Sequence, residues 1–404
     1  MQVVEQHIIN RHDPRWGKID EAAFASKNLY NAANYIVRQA FIFEHVYLDN
    51  VQVFHQIKHT PAYKALPAKV SNDILRQLHQ NWKAFFAAIQ AYNEEPSKFL
   101  GRPALPKYKD KQKGRNILIY DIQALSKKGL RKGLIQPSKL GIEIETKQTK
   151  IAQARIVPRN GFYIVEIVYE REEVQKKVDS SLFAAIDIGV NNLVALTSNK
   201  VGFIPRLVNG RPIKHVNQFY NKQREHLQKK MKKQYNSHKL DRITNKRTRR
   251  IDHYLHTASR RVIDLLVAEG IGILIIGKNP LWKQDPTMNR KNAQEFVQIP
   301  HARFVNMLSY KAQLVGIQIM VSEESYTSKA SFLDLDEIPT YGKEEKEPTF
   351  SGKRTKRGMY KSRVGRKINA DVNGSYNIMR KVVPNVFVDN GIEGAAVHPI
   401  RLVV

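Results

Sequence analysis

Three acidic positions in this sequence have the types and settings that metal chemistry needs: Asp187, the pair Glu323 and Glu324, and Asp371. Asp187 lies in the run Phe183 to Leu196, which reads as an apolar strand, a Gly/Asn turn and a second apolar strand. An ionised Asp inside such a run is costly unless something neutralises it, and a metal ion is the usual partner. Glu323 and Glu324 follow another apolar strand, Ile317 to Val321, and Asp371 opens a helical pattern. Two-metal phosphodiester cleavage uses a set of this kind. Hard oxygen ligands hold two Mg²⁺ or Mn²⁺ ions roughly 3.5–4 Å apart, one beside the attacking water and one beside the leaving oxygen. Taken singly, each position also has a plainer reading. Asp371 is a good N-cap, and a glutamate at a strand end is often merely exposed.

The elements around these residues fall into three stretches. Residues 1–15 read as a first strand, and from Ile19 to about Tyr92 apolar residues recur at helical spacing, as in Ile74, Leu75, Leu78, Trp82, Phe85 and Ile89. Aromatics at that spacing indicate a helical core more often than a nucleobase platform. The stretch around residues 94–115 is rich in Pro, Gly and Lys and reads as an extended connector. Short strands between Asn116 and Arg171, separated by Gly, Pro and Lys turns, suggest a small barrel or sandwich with the helical segment inserted into it.

From Phe183 onward strands alternate with helices. A long basic helical region is expected over about Ile213 to Glu269, carrying Arg224, Lys229, Lys230, Lys232, Lys233, Arg249 and Arg250. Such a run with few balancing acids favours contact with phosphates. Ile271 to Ile276 reads as a buried strand and Arg303 to Val315 as a helix with Gly316 as its C-cap. Residues 333–366 are polar, first acidic and then basic, with Arg354 and Arg357 among the cations.

Composition narrows the partners. The 404 residues carry 67 Lys and Arg against 37 Asp and Glu, a formal net charge of +30. A field of that sign spread along the whole chain favours DNA or RNA over a membrane. The sequence has no cysteine, which removes disulfides, thiol catalysis and cysteine-based zinc ribbons. No signal-peptide core and no apolar run of transmembrane length occurs, so a soluble, cytoplasmic protein with no membrane partner is expected.

The motifs "AAIDIGVNNLVAL" around Asp187, "EESYTSKAS" around Glu324 and "NADVNGSYNI" around Asp371 resemble TnpB (OrfB), a family encoded by insertion sequences. The family is related to type V CRISPR effectors and to the eukaryotic Fanzor proteins. The resemblance extends to "LYNAANYIVRQAF", "PSKFLGRPALPKYK" and "FVQIPHARFVNMLSYKAQLVGI", and so covers nearly the whole chain. It implies an RNA-guided DNA endonuclease whose RuvC-like domain of RNase H fold cuts target DNA paired with a guide RNA. It further implies that a helical recognition domain and a small barrel wedge domain cradle the duplex, with a distributed basic surface.

Two departures from the family pattern matter. The usual second catalytic residue is a Glu closing the strand equivalent to Ile271–Ile276, and Gly277 stands there instead. Some relatives place that glutamate on the following strand, before the Tyr-Thr-Ser motif, where Glu324 fits. Successive strand residues point to opposite faces, so only one of Glu323 and Glu324 should ligate, and Glu324 is chosen with Glu323 as the alternative. Many relatives also carry a zinc ribbon between "YTS" and the last Asp. Here Ala330 and Ser331 stand where cysteine is expected, and His253 and His256 are read as ordinary surface residues, so no structural zinc is expected.

The sequence therefore predicts a multidomain α/β protein. Residues 1–15 and 94–180 form the β-barrel wedge domain, 16–93 the helical recognition domain, and 181–332 with 364–404 the RuvC-like nuclease domain. Residues 333–363 form a basic insertion in place of the zinc ribbon. Asp187, Glu324 and Asp371 are the expected catalytic and metal-binding triad. The alternative is a nuclease-dead, RNA-guided DNA-binding repressor, which Gly277 favours.

Overall fold

The computed structural model describes residues 1–231, 237–279, 290–342, 347–356, 358–387 and 397–404. The chain divides into two compact units, Met1–Arg171 and Glu172–Val404. The division falls before the expected boundary at 180 for a local reason. The amides of Val174 and Lys176 already donate to the carbonyls of Leu314 and Val315, which tie the connecting segment to the second unit. Among the described residues no helix is long and apolar enough to cross a membrane.

In unit 1, strand β1 (Gln2–Asn10) pairs along its whole length with β6 (Phe162–Glu170), although some 150 residues separate them in sequence. The sheet is completed by β5 (Ile151–Arg159) and β2 (Leu118–Asp121) in the order β1-β6-β5-β2, all antiparallel. A separate short hairpin joins β3 (Leu134–Ile135) and β4 (Ile144–Glu145). Where the spacing suggested a small barrel or sandwich, the strands form an open four-stranded sheet and this separate hairpin. Helices and the β3–β4 hairpin, whose Ile135 and Ile144 are buried, share the sheet's core. Between β1 and β2 run α1 (Trp16–Gln39), α2 (Asn50–Ile57), α3 (Pro61–Lys64) and α4 (Ala68–Glu94), and a short α5 (Lys127–Arg131) follows β2. One hydrophobic core joins them: Ile19, Leu29 and Trp82 of the helices are buried with Ile9, Tyr120, Ile156 and Val165 of the strands. The helical stripe read from the sequence is thus core, shared with the sheet.

Unit 2 is built on a six-stranded mixed sheet. Strands β7 (Asp179–Asp187), β8 (Asn192–Ser198) and β9 (Arg206–Asn209) are successive antiparallel neighbours. The chain then leaves through two helices, α6 (Arg211–Lys230) and α7 (His238–Ala268), where the sequence suggested one helical region. It returns as β10 (Ile271–Gly277), which pairs parallel with β7 on the other side. Helices α8 (Arg290–Val297) and α9 (His301–Gln313) lead to β11 (Gln318–Ser322), parallel to β10. Gly316 has φ of +83° after α9, as the C-cap reading requires.

Alternation along the strands assigns the two faces. Ala184, Ile186, Leu274 and Ile276 pack with α7 and α9, whereas Ala185, Ile273 and Ile275 face the other layer. All seven residues of β10 are buried, as a parallel strand covered on both faces demands. The polar stretch 333–366, for which no strands were expected, carries β12 (Lys353–Lys356) and β13 (Met359–Lys361), which form a three-stranded antiparallel sheet with β14 (Lys367–Asn369). The second layer is α10 (Ala370–Val382), and β15 (Ile400–Leu402) adds a sixth strand parallel to β9.

Candidate active site

Parallel strands bring loops to their carboxyl ends, and open α/β sheets place ligand sites there. At that edge β7 ends on Asp187 and β10 on Gly277, while β11 ends on Ser322, two residues before Glu324. Helix α10 begins at the same edge. Its N-cap is Asn369, whose side chain accepts from the amides of Asp371 and Val372 at 3.0 and 3.2 Å. Asp371 is therefore not the cap. It sits one step inside the first turn with its carboxylate available, and Oδ2 accepts from Asn192 Nδ2 at 2.7 Å.

Small and polar residues seat α10 tightly on the sheet. Ser375 Oγ donates to the Ala185 carbonyl at 2.8 Å and lies 2.9 Å from Thr197 Oγ1. A Cβ at Gly374 would come within 2.6 Å of Asp187 Oδ2, so the helix backbone approaches that carboxylate with no side chain between. Asn373 and Asn377, both fully buried, bond to the Phe332 amide and to the carbonyls of Thr327 and Ala330. They fix the turn that follows Glu324.

Asp187, Glu324 and Asp371 line one cleft of about 640 Å³, together with Asn192, Asn279 and Arg354. Each acid is partly exposed through the cleft and otherwise surrounded by protein. Burial pushes the Asp187 carboxyl well above its usual range, the charges of Glu324 and Asp371 add to the effect, and Arg354 opposes it. Glu324 is pushed up to about 7, first by burial and then by the charge of Glu323, with Lys381 opposing. Among the described residues no three His, Cys, Asp or Glu side chains stand close enough to form a ready metal-holding group. The carboxylates share a cavity and a mutual repulsion without being drawn to one point. A hard divalent cation suits this donor set, which is all oxygen and carries excess negative charge.

Of the residues expected to contact nucleic acid, Arg354 lines the cleft, and the others described do not. Arg224, Lys229, Lys230, Arg249 and Arg250 are exposed on α6 and α7. Lys229 forms an i,i+4 ion pair with Glu225, so that helix does carry a balancing acid. Lys232, Lys233 and Arg357 lie outside the described residues. The sequence reading missed Asn192, Asn279, Gly374, Ser375 and Lys381. Small polar residues recurring through a buried helix, as in Asn373-Gly374-Ser375-Tyr376-Asn377, were the available signal for part of that set.

A zinc ribbon does not fit residues 330–366. The segment offers no thiolate, and its loop is held by a network of hydroxyls, amides and two carboxylates. Asp334 Oδ2 accepts from Ser331 Oγ at 2.6 Å, Ser351 Oγ at 3.0 Å and the Arg363 amide at 2.8 Å. Asp336 accepts from the amides of Ser331 and Ser351 at 2.7 and 3.1 Å and from Ser351 Oγ at 2.6 Å. Burial works against the Asp334 charge, but the donors from Ser331, Arg363 and Ser351 outweigh it and hold its carboxyl below the usual range.

Comparison with known proteins agrees with this architecture. Residues 166–282 match the OrfB_IS605 family, described as a probable transposase, and residues 301–378 match the Cas12f1-like TNB domain. No curated protein matches the sequence. A solved Cas12f1–sgRNA–target DNA complex is similar in fold, with 15% identity and a TM-score of 0.52 over 91% of this chain and 82% of that one. The mini-RNA-guided endonuclease CRISPR-Cas phi3 has 8% identity and a TM-score of 0.48, covering 95% and 92% of the two chains. The mixed sheet is consistent with a RuvC-like domain. The two matched segments follow one another in order and carry Asp187, Glu324 and Asp371, so over those residues the chain is similar to the OrfB_IS605 transposase family and to a Cas12f1-like TNB domain.

Proposed function

We propose that this protein is an RNA-guided, divalent-metal-dependent DNA endonuclease, with Asp187, Glu324 and Asp371 as its metal-binding carboxylates. The observation that carries the reading is the gathering of three acids from distant parts of the chain into one cleft, where burial and the two neighbouring carboxylates disfavour the charge of Asp187 and burial disfavours that of Glu324. Such a set is stabilised by a cation and is hard to explain as packing. The sheet order supports a RuvC-like domain of RNase H type: three antiparallel strands, then two parallel ones, with the acids at their carboxyl ends. When bound, Mg²⁺ or Mn²⁺ would activate water and offset charge on the leaving oxygen. The chain's own part is to hold the acids. Asn192 orients Asp371, Asn279 holds the Glu324 backbone, and Arg354 offers a cation to the scissile phosphate.

Guide RNA and target double-stranded DNA are the proposed partners, as the sgRNA and target DNA are in the similar Cas12f1 complex. In unit 1 the strands of residues 1–15 and 94–171 would serve as wedge and the helices of 16–93 as recognition elements. The net charge of +30 supports backbone contact of this kind. Purified protein with its guide should linearise a guide-matched plasmid in Mg²⁺ and leave a mismatched plasmid intact. Guide-dependent binding without cutting at any Mg²⁺ or Mn²⁺ concentration would replace this reading with that of an RNA-guided repressor.

A further inference from the structure

Gly277 and Glu323 look like losses in the sequence, one a missing acid and the other a redundant one. In the structure both are accounted for by Glu324. Strands β10 and β11 are paired with Gly277 opposite Ser322, and the Lys278 amide extends the ladder to the Ser322 carbonyl at 2.8 Å. The chain then turns and folds the Glu324 side chain back over the end of β10. A Cβ at position 277 would lie 2.6 Å from Glu324 Oε2 and 2.5 Å from Ile378 Cδ1. Ile378 belongs to the core between α10 and the sheet and is fully buried, so it has little room to yield. The Glu324 carboxylate therefore fills space that any side chain at 277 would claim.

The neighbouring acid is restrained from the other side. Lys381 Nζ, with its side chain only 9% exposed, donates to the Glu323 carboxylate. It donates further to the carbonyls of Ser325 at 3.0 Å and Pro339 at 3.1 Å. Three acceptors use all three ammonium donors. Glu323 also accepts from the Ser325 amide. The Glu324 backbone is fixed independently, its amide donating to Asn279 Oδ1 at 2.9 Å and its carbonyl accepting from Thr327 Oγ1 at 2.8 Å.

We propose that Gly277 and Lys381 are positioning residues for Glu324. The bare α-carbon at 277 makes room for the carboxylate, and Lys381 pins Glu323 so that only its neighbour faces Asp187. A glutamate on β10 and one after β11 are then mutually exclusive solutions, since both need the same space. The inference rests on the reading of Glu324 as a metal ligand and adds what selects it.

The test is Mn²⁺ affinity, measured from the free-ion EPR signal, alongside cleavage of a guide-matched plasmid and a melting curve for each variant. Lys381→Met should weaken Mn²⁺ binding by about 10–100-fold, the range for residues that orient a metal ligand. Adding Glu323→Gln to Lys381→Met should recover most of that loss, because the freed competing charge is gone. Gly277→Ala should lose Mn²⁺ affinity by at least about tenfold while melting as a folded protein. Unchanged affinity in a folded Gly277→Ala protein overturns the first half of the proposal. Lack of rescue by Glu323→Gln overturns the second, and remains decisive if Gly277→Ala does not fold. Wild-type protein that binds no Mn²⁺ overturns the site reading itself, and the inference with it.

Discussion

The acids of the cleft and the acids of the 331–363 loop both sit against protein, but the second set is supplied with many donors and the first with few, Asp371 taking one from Asn192. Asp334 and Asp336 together accept from five donors on Ser331, Ser351 and Arg363, the Ser351 hydroxyl being shared between them. Asp187 faces two other carboxylates and one arginine instead. Charge satisfied by fixed dipoles is a structural device, and charge gathered without them calls for a mobile counter-ion. The loop network thus closes its segment with its own side chains, whereas the cleft leaves Asp187 facing other carboxylates.

The comparison fails if the cleft does not depend on its acids. Asp187→Ala or Asp371→Ala should lower guide-directed cleavage on the order of 10³-fold, as removal of a main electrostatic contributor does. Guide and target binding, followed by gel shift, should be nearly unchanged. A smaller stabilising effect should follow metal addition. Mn²⁺ at about a hundred times its Kd should stabilise the wild-type fold by about 2.7 kcal/mol, read as a raised melting point. The Asp371→Ala protein should not respond.

The loop should show the reverse pattern. Asp334→Ala should destabilise unit 2 by about 1–3 kcal/mol, the usual loss when donors to a charged group are left without a partner. Neither zinc nor a chelator should alter the melting of the wild-type loop region, as followed by hydrogen exchange. The smallest effect is on pH. Asp334 is held below its ordinary pKa of about 3.9, so its contribution is present above that value. It fades as pH falls through the lower, folded-state value. The partial exposure of the group keeps this contribution modest. Acid titration of Asp334→Asn against wild type should show the two stabilities converging below about pH 4, and divergence there would contradict the network.

Local pattern carried some of this molecule and long-range pairing the rest. The run Phe183–Leu196 could be read as two strands because apolar residues bounded by Gly and Asn report burial directly. Asp187 stood out because an acid in such a run is a physical anomaly. That the first strand joins those of residues 116–171 was anticipated, but its partner β6 and the open edge of the sheet were not. Strand spacing says nothing about whether a helix or another strand covers the last edge. Asp371 was legible as a helix-start acid but not as an uncapped one, since that depends on Asn369 taking the role. The role of Gly277 could not be read at all. Its meaning lies in a carboxylate and an isoleucine brought against it by the fold.

The seating of α10 on β7 has a consequence for how this protein tolerates change. Gly374 and Ser375 set the distance between helix and sheet using the smallest side chains available, and Asp187 and Asp371 stand on opposite sides of that gap. A larger residue at either position would act as a shim and spread the two acids apart. Position 374 is thus a ruler for the cleft, and its error would register as lost activity in a protein that still folds.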